Sequence, residues 1–276
     1  MKNRLQRQFE GFINTPLLWK GNNIGGLVQC ENIPIKFPEQ LTGEEEISSS
    51  KNLVLGKRVE SFFAIGIKNS NKLELLAANI QIYKNKITLG EIDFLLKDKV
   101  LQHCYHIELV YKFYVYDPSF SREQARWIGP NRKDSLLEKV NKLKTKQLPL
   151  LHLTETSKVL ANLNLDAKNI EQQVCFKASI FIPKHLDKQE FPNINKECIA
   201  GYWISMSQFE EKYYERFQFF APPKQDWPIA PKFGETWFSY SEIKTQIMEL
   251  FKRKKSPLIW MKKPGNVYER FFIVWW

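Results

Sequence analysis

The residues of this chain best suited to chemistry are acids and lysines set into strand-like runs. In "HIELVYKFYV", His106 to Val115, alternate residues from Ile107 are apolar or aromatic, while His106, Glu108, Val110, Lys112 and Tyr114 share the other face. The earlier run "GEIDFLL", Gly90 to Leu96, puts Glu91, Asp93 and Leu95 on one face, opposite Ile92, Phe94 and Leu96. If the two runs pair as a hairpin, Asp93 and Glu108 come within one metal's reach. Two carboxylates held close repel, and a hard divalent cation relieves them. Mg²⁺ (or Mn²⁺) suits such a pair, because it takes a few carboxylates, several waters and substrate phosphate oxygens. A lysine nearby adds positive charge or orients a nucleophile, so acid, acid, lysine and metal together suit phosphodiester hydrolysis. Lys112 is the lysine on the right face. It stands roughly 13–14 Å beyond Glu108 along an ideal strand, so a bend or a curling stem must bring it back.

A third acid belongs to a helix. In "NLVLGKRVESFFAIGI", Val59, Phe62, Phe63 and Gly66 recur at helical spacing and face inward. Glu60 has Gly56 and Ala64 four residues to either side, which leaves room for a close approach. An ion pair with Lys57 or Arg58 fits the same position.

These residues need elements to hold them. "LLAANIQIY", "ITLGEIDFLL" and "CYHIELVYKFYVY" are separated by short breaks and read as an antiparallel meander. A helix is expected over "KDSLLEKVNKLKTKQL", with Leu136, Leu137, Val140, Leu143 and Leu148 inward and Pro149 at its end. A helix in "ETSKVLANLNL" and a strand in "QVCFKASIFI" follow. The fold class is therefore α/β, of an α+β-like kind. We expect an N-terminal extension over 1–50, an exposed acidic loop at Pro38–Asn52 and a core over 51–185. An aromatic-rich α+β region, 186–276, completes the chain. That last region reads as a strand "IAGYWISM", helices "SQFEEKYYERF" and "YSEIKTQIMELFKRKK", and a terminal hairpin. More than half of the aromatic residues fall there, and packing is the expected use of such rings.

The 41 Lys and Arg against 30 Asp and Glu give a formal charge of +11. That excess favours a polyanionic partner, for which nucleic acid, DNA in particular, is the expectation. From Arg122 to Lys158 there are nine basic against four acidic residues. Lys139, Lys142, Lys144 and Lys146 cluster there and suit a phosphate backbone, although a solvated helix face has the same composition. The loop "WIGPN" (Trp127–Asn131) suits either backbone contact with phosphate or ordinary turn chemistry. No run approaches the ~20 apolar residues of a spanning helix, and the N-terminus lacks the apolar stretch of a secretory signal. Cys30, Cys104, Cys175 and Cys198 share no C-x-x-C spacing, which points to reduced core thiols, not a disulfide or zinc framework. A cytoplasmic protein without membrane attachment is expected. No Ser-His-Asp order, P-loop or dinucleotide fingerprint is present, and His106 reads as a structural histidine.

The order helix with acid, three-strand meander with Asp and Glu…Lys, helix and fourth strand resembles the PD-(D/E)XK, or restriction-endonuclease-like, nuclease superfamily. "GEIDFLL…HIELVYKF" resembles its "G-E-I-D…E-V-K" motif pair. More closely, "LGKRVESFFAIGI", "NIQIYKNKITLGEIDFLL", "HIELVYKFYV" and "WIGPNRKDSLLEKVNKLKTKQL" look like a bacterial domain-of-unknown-function family assigned to that superfamily. The likeness covers roughly residues 50–182, and "GYWISM" more loosely. It implies a restriction-endonuclease-like core and a Mg²⁺-dependent nuclease ancestry, with no defined substrate. Under it, Asp93 matches the metal-binding aspartate, Glu108 the second acid and Glu60 the first-helix acid. The usual lysine stands two after the acid, where this chain has Val110, so Lys112 is displaced. Gln147 matches the glutamine of a Gln-h-x-x-Tyr motif in exonuclease-like members, but its tyrosine position is Leu151 and Pro149 intervenes. The alternative implied by the displaced lysine is an inactive scaffold of the same fold that binds nucleic acid or protein.

Overall fold

The periodicities above are realised as a mixed α/β fold. A computed structural model describes residues 2–21, 24–31, 33, 35, 53–186 and 189–276, so the acidic run expected as a loop at Pro38–Asn52 lies outside the described residues. In chain order the elements are α1 (Arg4–Asn14), α2 (Leu55–Lys68), β1 (Leu73–Lys84), β2 (Ile87–Asp98) and β3 (Cys104–Tyr116). Then come α3 (Glu123–Arg126), β4 (Trp127–Ile128), α4 (Leu136–Lys142), α5 (Thr154–Asn162), β5 (Ile170–Pro183) and β6 (Ile199–Ser205). The chain finishes with α6 (Glu211–Tyr214), β7 (Gln218–Phe220), α7 (Tyr240–Lys252), β8 (Leu258–Lys263) and β9 (Val267–Val274). Among the described residues no helix is long and apolar enough to cross a membrane, and the four cysteines are free thiols.

The chain divides into two compact units, each discontinuous in sequence. The first comprises 17–111 and 139–177, the second 1–16, 112–138 and 178–276.

In the first unit, β1, β2 and β3 form the antiparallel meander, and β5 lies beside β3. Helix α2 buries Phe62, Phe63 and Ile67 completely, and the Phe63 ring lies 4.6 Å from that of Phe94 on β2. The β1–β2 ladder shifts register between Leu75 and Ala77 and between Ile82 and Tyr83, and it also skips one level between them. Ala78 pairs with Phe94 and Ile80 with Ile92, but Asn79 between them is left-handed, with φ 54°. Asparagine tolerates that conformation better than other non-glycine residues. The β2–β3 pairs run from Lys97↔Cys104 to Phe94↔Ile107. Asp93 therefore sits where β2 loosens from both neighbours.

Helix α4 does not run on to Leu148 as its apolar spacing predicts. It passes into a single wide π turn, Leu143–Gln147, and then a 3-10 turn, Leu148–His152. Pro149 is the physical reason. It has no N–H for the carbonyl four residues back, and its ring collides with that carbonyl in a regular helix. The 3-10 turn packs Leu150 and Leu151 against Ile82, Ile92 and Leu95. Gly90 makes this approach feasible, since a Cβ there would lie 2.5 Å from Leu150 Cδ1.

In the second unit β5, β6 and β9 run parallel in succession, and β9, β8 and β7 are antiparallel. Helix α7 starts at a capping box in which Ser239 and Glu242 satisfy each other's backbone N–H groups. The rings of this region pack. Phe209, Phe219, Tyr240 and Phe271 share one buried cluster with Ile243, Ile247 and Ile259. The helix expected over "SQFEEKYYERF" is reduced to a 3-10 turn, Met206–Gln208, and the short α6. Phe209 and Tyr214 both enter the same core, and five residues of regular helix would turn them about 140° apart.

Candidate functional site

The acids of the first unit are gathered by strand pairing. Extending the β2–β3 register by one residue sets Asp93 against Glu108, and there side chains replace the ladder. Leu109 N–H donates to Asp93 Oδ2 at 2.9 Å, and the Asp93 backbone helps to hold Glu108 ionised. Asp93 thus caps the backbone of the neighbouring strand. Glu108 and His106 are fully buried, and Asp93 is only 8% exposed.

Burial raises the Asp93 carboxyl to about 7, with the Glu108 charge adding to the effect. Glu108 is also raised to about 7, chiefly by burial, against the opposing pull of Lys139. The hydrogen bonds decide which of the pair is the better anion. Gln172 Nε2 donates to the Leu148 carbonyl at 2.7 Å and lies 2.9 Å from His106 Nδ1. A carbonyl can only accept, so the Gln172 amide nitrogen faces His106 and Nδ1 is the acceptor. The His106 proton therefore rides on Nε2, which donates to Glu108 Oε1 at 2.9 Å. Burial holds this histidine down to about 4, so the ring is neutral. On the other side Lys139 Nζ, a donor only, bonds Gln147 Oε1 at 2.8 Å, which turns the Gln147 amide nitrogen onto Glu108 Oε2. Glu108 thus accepts two side-chain hydrogen bonds, one on each oxygen. Asp93 accepts one, and among the described residues nothing hydrogen-bonds its Oδ1. A proton held by the pair belongs on Asp93.

Gln147 reaches Glu108 because of the π turn. One residue added to a helical turn rotates the downstream chain by about 100°, so residues eight apart take the alignment that residues seven apart have in a regular helix. Lys139 and Gln147 are eight apart, and both end beside the acid pair.

Glu60 is held differently. Its carboxylate and that of Glu91 grip Lys57 at 2.8 Å each, and Glu91 also accepts from Gln81 across the β1–β2 ladder. Burial raises Glu60, with Lys57 opposing; the charges of Glu91 and Lys139 are felt there as well. The ion pair with Lys57 was one of the two uses expected for Glu60. A cavity of about 250 Å³ opens beside it, lined by Lys57, Glu60, Ser61, Ala64 and Asn79 among others.

Lys112 belongs to the second unit, where Asp134 binds its ammonium. Lys142, Lys144 and Lys146 are exposed, whereas Lys139 is half-buried. The "WIGPN" loop spends its polar groups within the second unit. Pro130 O accepts from Ser256 Oγ and Trp276 Nε1, and Asn131 Oδ1 accepts from Ser256 N–H. Gln172 escaped the sequence reading. Its only signal is a polar residue two places into the largely apolar strand β5.

Among the described residues no group of three or more His, Cys, Asp and Glu is arranged to hold a metal ion. The pair Asp93 and Glu108 has the donor chemistry of a hard divalent cation: two oxygen-bearing acids, buried, mutually repelling and both shifted toward protonation. Such a cation completes its shell with water and phosphate oxygens and needs no third carboxylate.

Structurally this is a mixed α/β protein with a buried pair of cross-strand carboxylates. Residues 36–274 match the family described as "Domain of unknown function (DUF1853)", and the chain belongs to that family. No curated protein and no solved structure matches it.

Proposed function

We propose that the chain is a divalent-metal-dependent phosphodiesterase of the PD-(D/E)XK type acting on DNA. The observation that carries this reading is the buried cross-strand pair Asp93 and Glu108, with Asp93 accepting from the Leu109 N–H beside Glu108. A buried pair of acids is costly to ionise without a cation, so its presence is better explained by ligand binding than by stability. When bound, Mg²⁺ would lower the pKa of its water and offset charge on the phosphate. The residues of the chain supply the rest. Asp93, bearing the less satisfied carboxylate, would be the readier of the two to hold the metal. Glu108 is aimed by His106 and Gln147, which donate to its two oxygens. Lys139 brings positive charge to the acid cluster through Gln147, the role that the sequence reading gave to Lys112. The exposed Lys142, Lys144 and Lys146 neutralise phosphates along a strand without reading bases. An EDTA-sensitive cleavage assay on single-stranded, duplex and branched DNA tests the reading.

One observation favours a second reading, an inactive scaffold that binds nucleic acid or protein. Both Glu108 oxygens already hold protein donors, and the lysine nearest in the motif, Lys112, is bound by Asp134. DNA binding without metal-dependent cleavage or metal affinity would select it.

A further inference from the structure

A cavity of about 740 Å³ opens in the second unit, walled by α1, β6, β9 and the loop before α7. Its volume lies within the roughly 300–1,000 Å³ typical of small-molecule sites. Five cations line it: Arg7, Lys184, Lys232, Lys263 and Arg270. Three acids do so as well, and two of them are satisfied locally. Glu269 is bound by Lys263 and accepts the Tyr202 O–H at 3.1 Å, and Glu10 pairs with Lys2 at 3.0 Å. Glu197 is the third. Lys184 and Lys232 are placed otherwise. Lys184 Nζ lies 5.2 Å from the Tyr202 ring centroid and Lys232 Nζ 5.1 Å from that of Phe233. Neither makes an ion pair with a described acid. Both are exposed, so each can turn to an incoming anion at little conformational cost.

The rings supply the other half of a site. Phe233 and Tyr268 are half-buried in the cavity wall, and Arg7 lies 5.0 Å from the Phe233 centroid. Tyr202 is backed by Phe271, stacked at 4.9 Å and 3°. A rigid aromatic wall beside two lysines that make no ion pair among the described residues suits a flat base joined to a phosphate. The base stacks on a ring, and the phosphate takes charge-assisted hydrogen bonds from the lysines. An inorganic anion would use only the cations, and an uncharged ring only the wall.

We propose that this cavity binds a nucleoside phosphate, either free or at the end of a nucleic-acid strand. Calorimetry on the full chain in EDTA tests it, so the readout does not depend on cleavage or on metal at Asp93 and Glu108. Adenosine 5′-monophosphate should bind at least tenfold more tightly than inorganic phosphate or adenosine. Lys184→Ala with Lys232→Ala, both at exposed positions, should weaken it at least tenfold with an unchanged melting temperature. A short single-stranded oligonucleotide bound more tightly with a 5′-phosphate than without assigns the site to strand ends. Equal affinity with and without that phosphate, alongside tight mononucleotide binding, assigns it to the free ligand. Mononucleotide affinity no better than that of inorganic phosphate, or unchanged in the double variant, overturns the proposal.

Discussion

Lys139 Nζ and Gln147 Oε1 are joined by a 2.8 Å hydrogen bond across a π turn, and the same glutamine amide donates to Glu108. The cation that acts on the acid pair thus comes from helix α4. Lys139→Met and Gln147→Leu should each lower metal-dependent cleavage on the order of a hundredfold, the usual loss for one preorganised electrostatic group. Lys112→Met removes a half-exposed pair with Asp134, worth at most about 1 kcal/mol, and should leave cleavage within a few-fold of wild type. Single-turnover rates at saturating metal separate the cases. A Lys112→Met rate as low as that of Lys139→Met would return the role to β3.

Metal-free stability should depend on pH in a direction set by this pair. The Asp93 and Glu108 carboxyls are raised to about 7 in the folded protein, mainly by burial. Below their ordinary values both states are protonated. As pH rises toward 7 the unfolded chain sheds protons that the fold retains, so stability falls across that window. His106, lowered to about 4 by burial, acts with the opposite sign: it costs stability as pH falls from about 6.5. Two acids outweigh one histidine between about pH 5 and 7. Asp93→Asn keeps an oxygen for Leu109 N–H and removes the titration. Its melting temperature in EDTA should exceed that of wild type by an amount that grows from pH 5 to pH 7.5. A constant difference, or one that shrinks, contradicts the assignment.

How much of this was legible beforehand differs from residue to residue. Alternation in "GEIDFLL" and "HIELVYKF" was enough to expect Asp93 and Glu108 near each other on paired strands, because strand periodicity assigns faces and short breaks favour an antiparallel hairpin. The three strands of the meander, helix α2 and the hairpin of β8 and β9 were readable for the same reason. The π turn was not. Pro149 announces that a helix must yield, but not that it yields by widening a turn and swinging Gln147 onto Glu108. The Asp134 partner of Lys112 was equally hidden, since 22 residues separate them and side-chain choice between partners leaves no period. Nor does a composition profile reveal units that each draw on separate stretches of chain.

Metal should report on the acid pair through stability. At a concentration a hundred times its Kd, Mg²⁺ or Mn²⁺ should raise the wild-type melting temperature by roughly 5–10 °C at pH 7.5. In Glu108→Gln the response should be absent, with the EDTA baseline at or above that of wild type. Equal responses in both proteins would place the cation elsewhere.

Neutralising Lys142, Lys144 and Lys146 together should weaken DNA binding by a similar factor for every sequence. It should flatten the log–log salt dependence by about 0.9 for each duplex phosphate that the protein no longer neutralises. Because these lysines are exposed, the melting temperature should not change. An intact salt slope would move the polyanion surface to another basic stretch, such as Phe251–Lys255.

The most direct measurement is cleavage itself. Wild type, Asp93→Asn and Glu108→Gln are incubated with labelled single-stranded, duplex and branched DNA in Mg²⁺, in Mn²⁺ and in EDTA. Wild type should cut at least one substrate only with metal, and both variants, equally well folded, should lose that cleavage by a hundredfold or more. Cleavage that persists in EDTA or in both variants would contradict a metal-dependent site at this pair. So would binding of all three substrates by a wild-type protein that cuts none of them and takes up no metal.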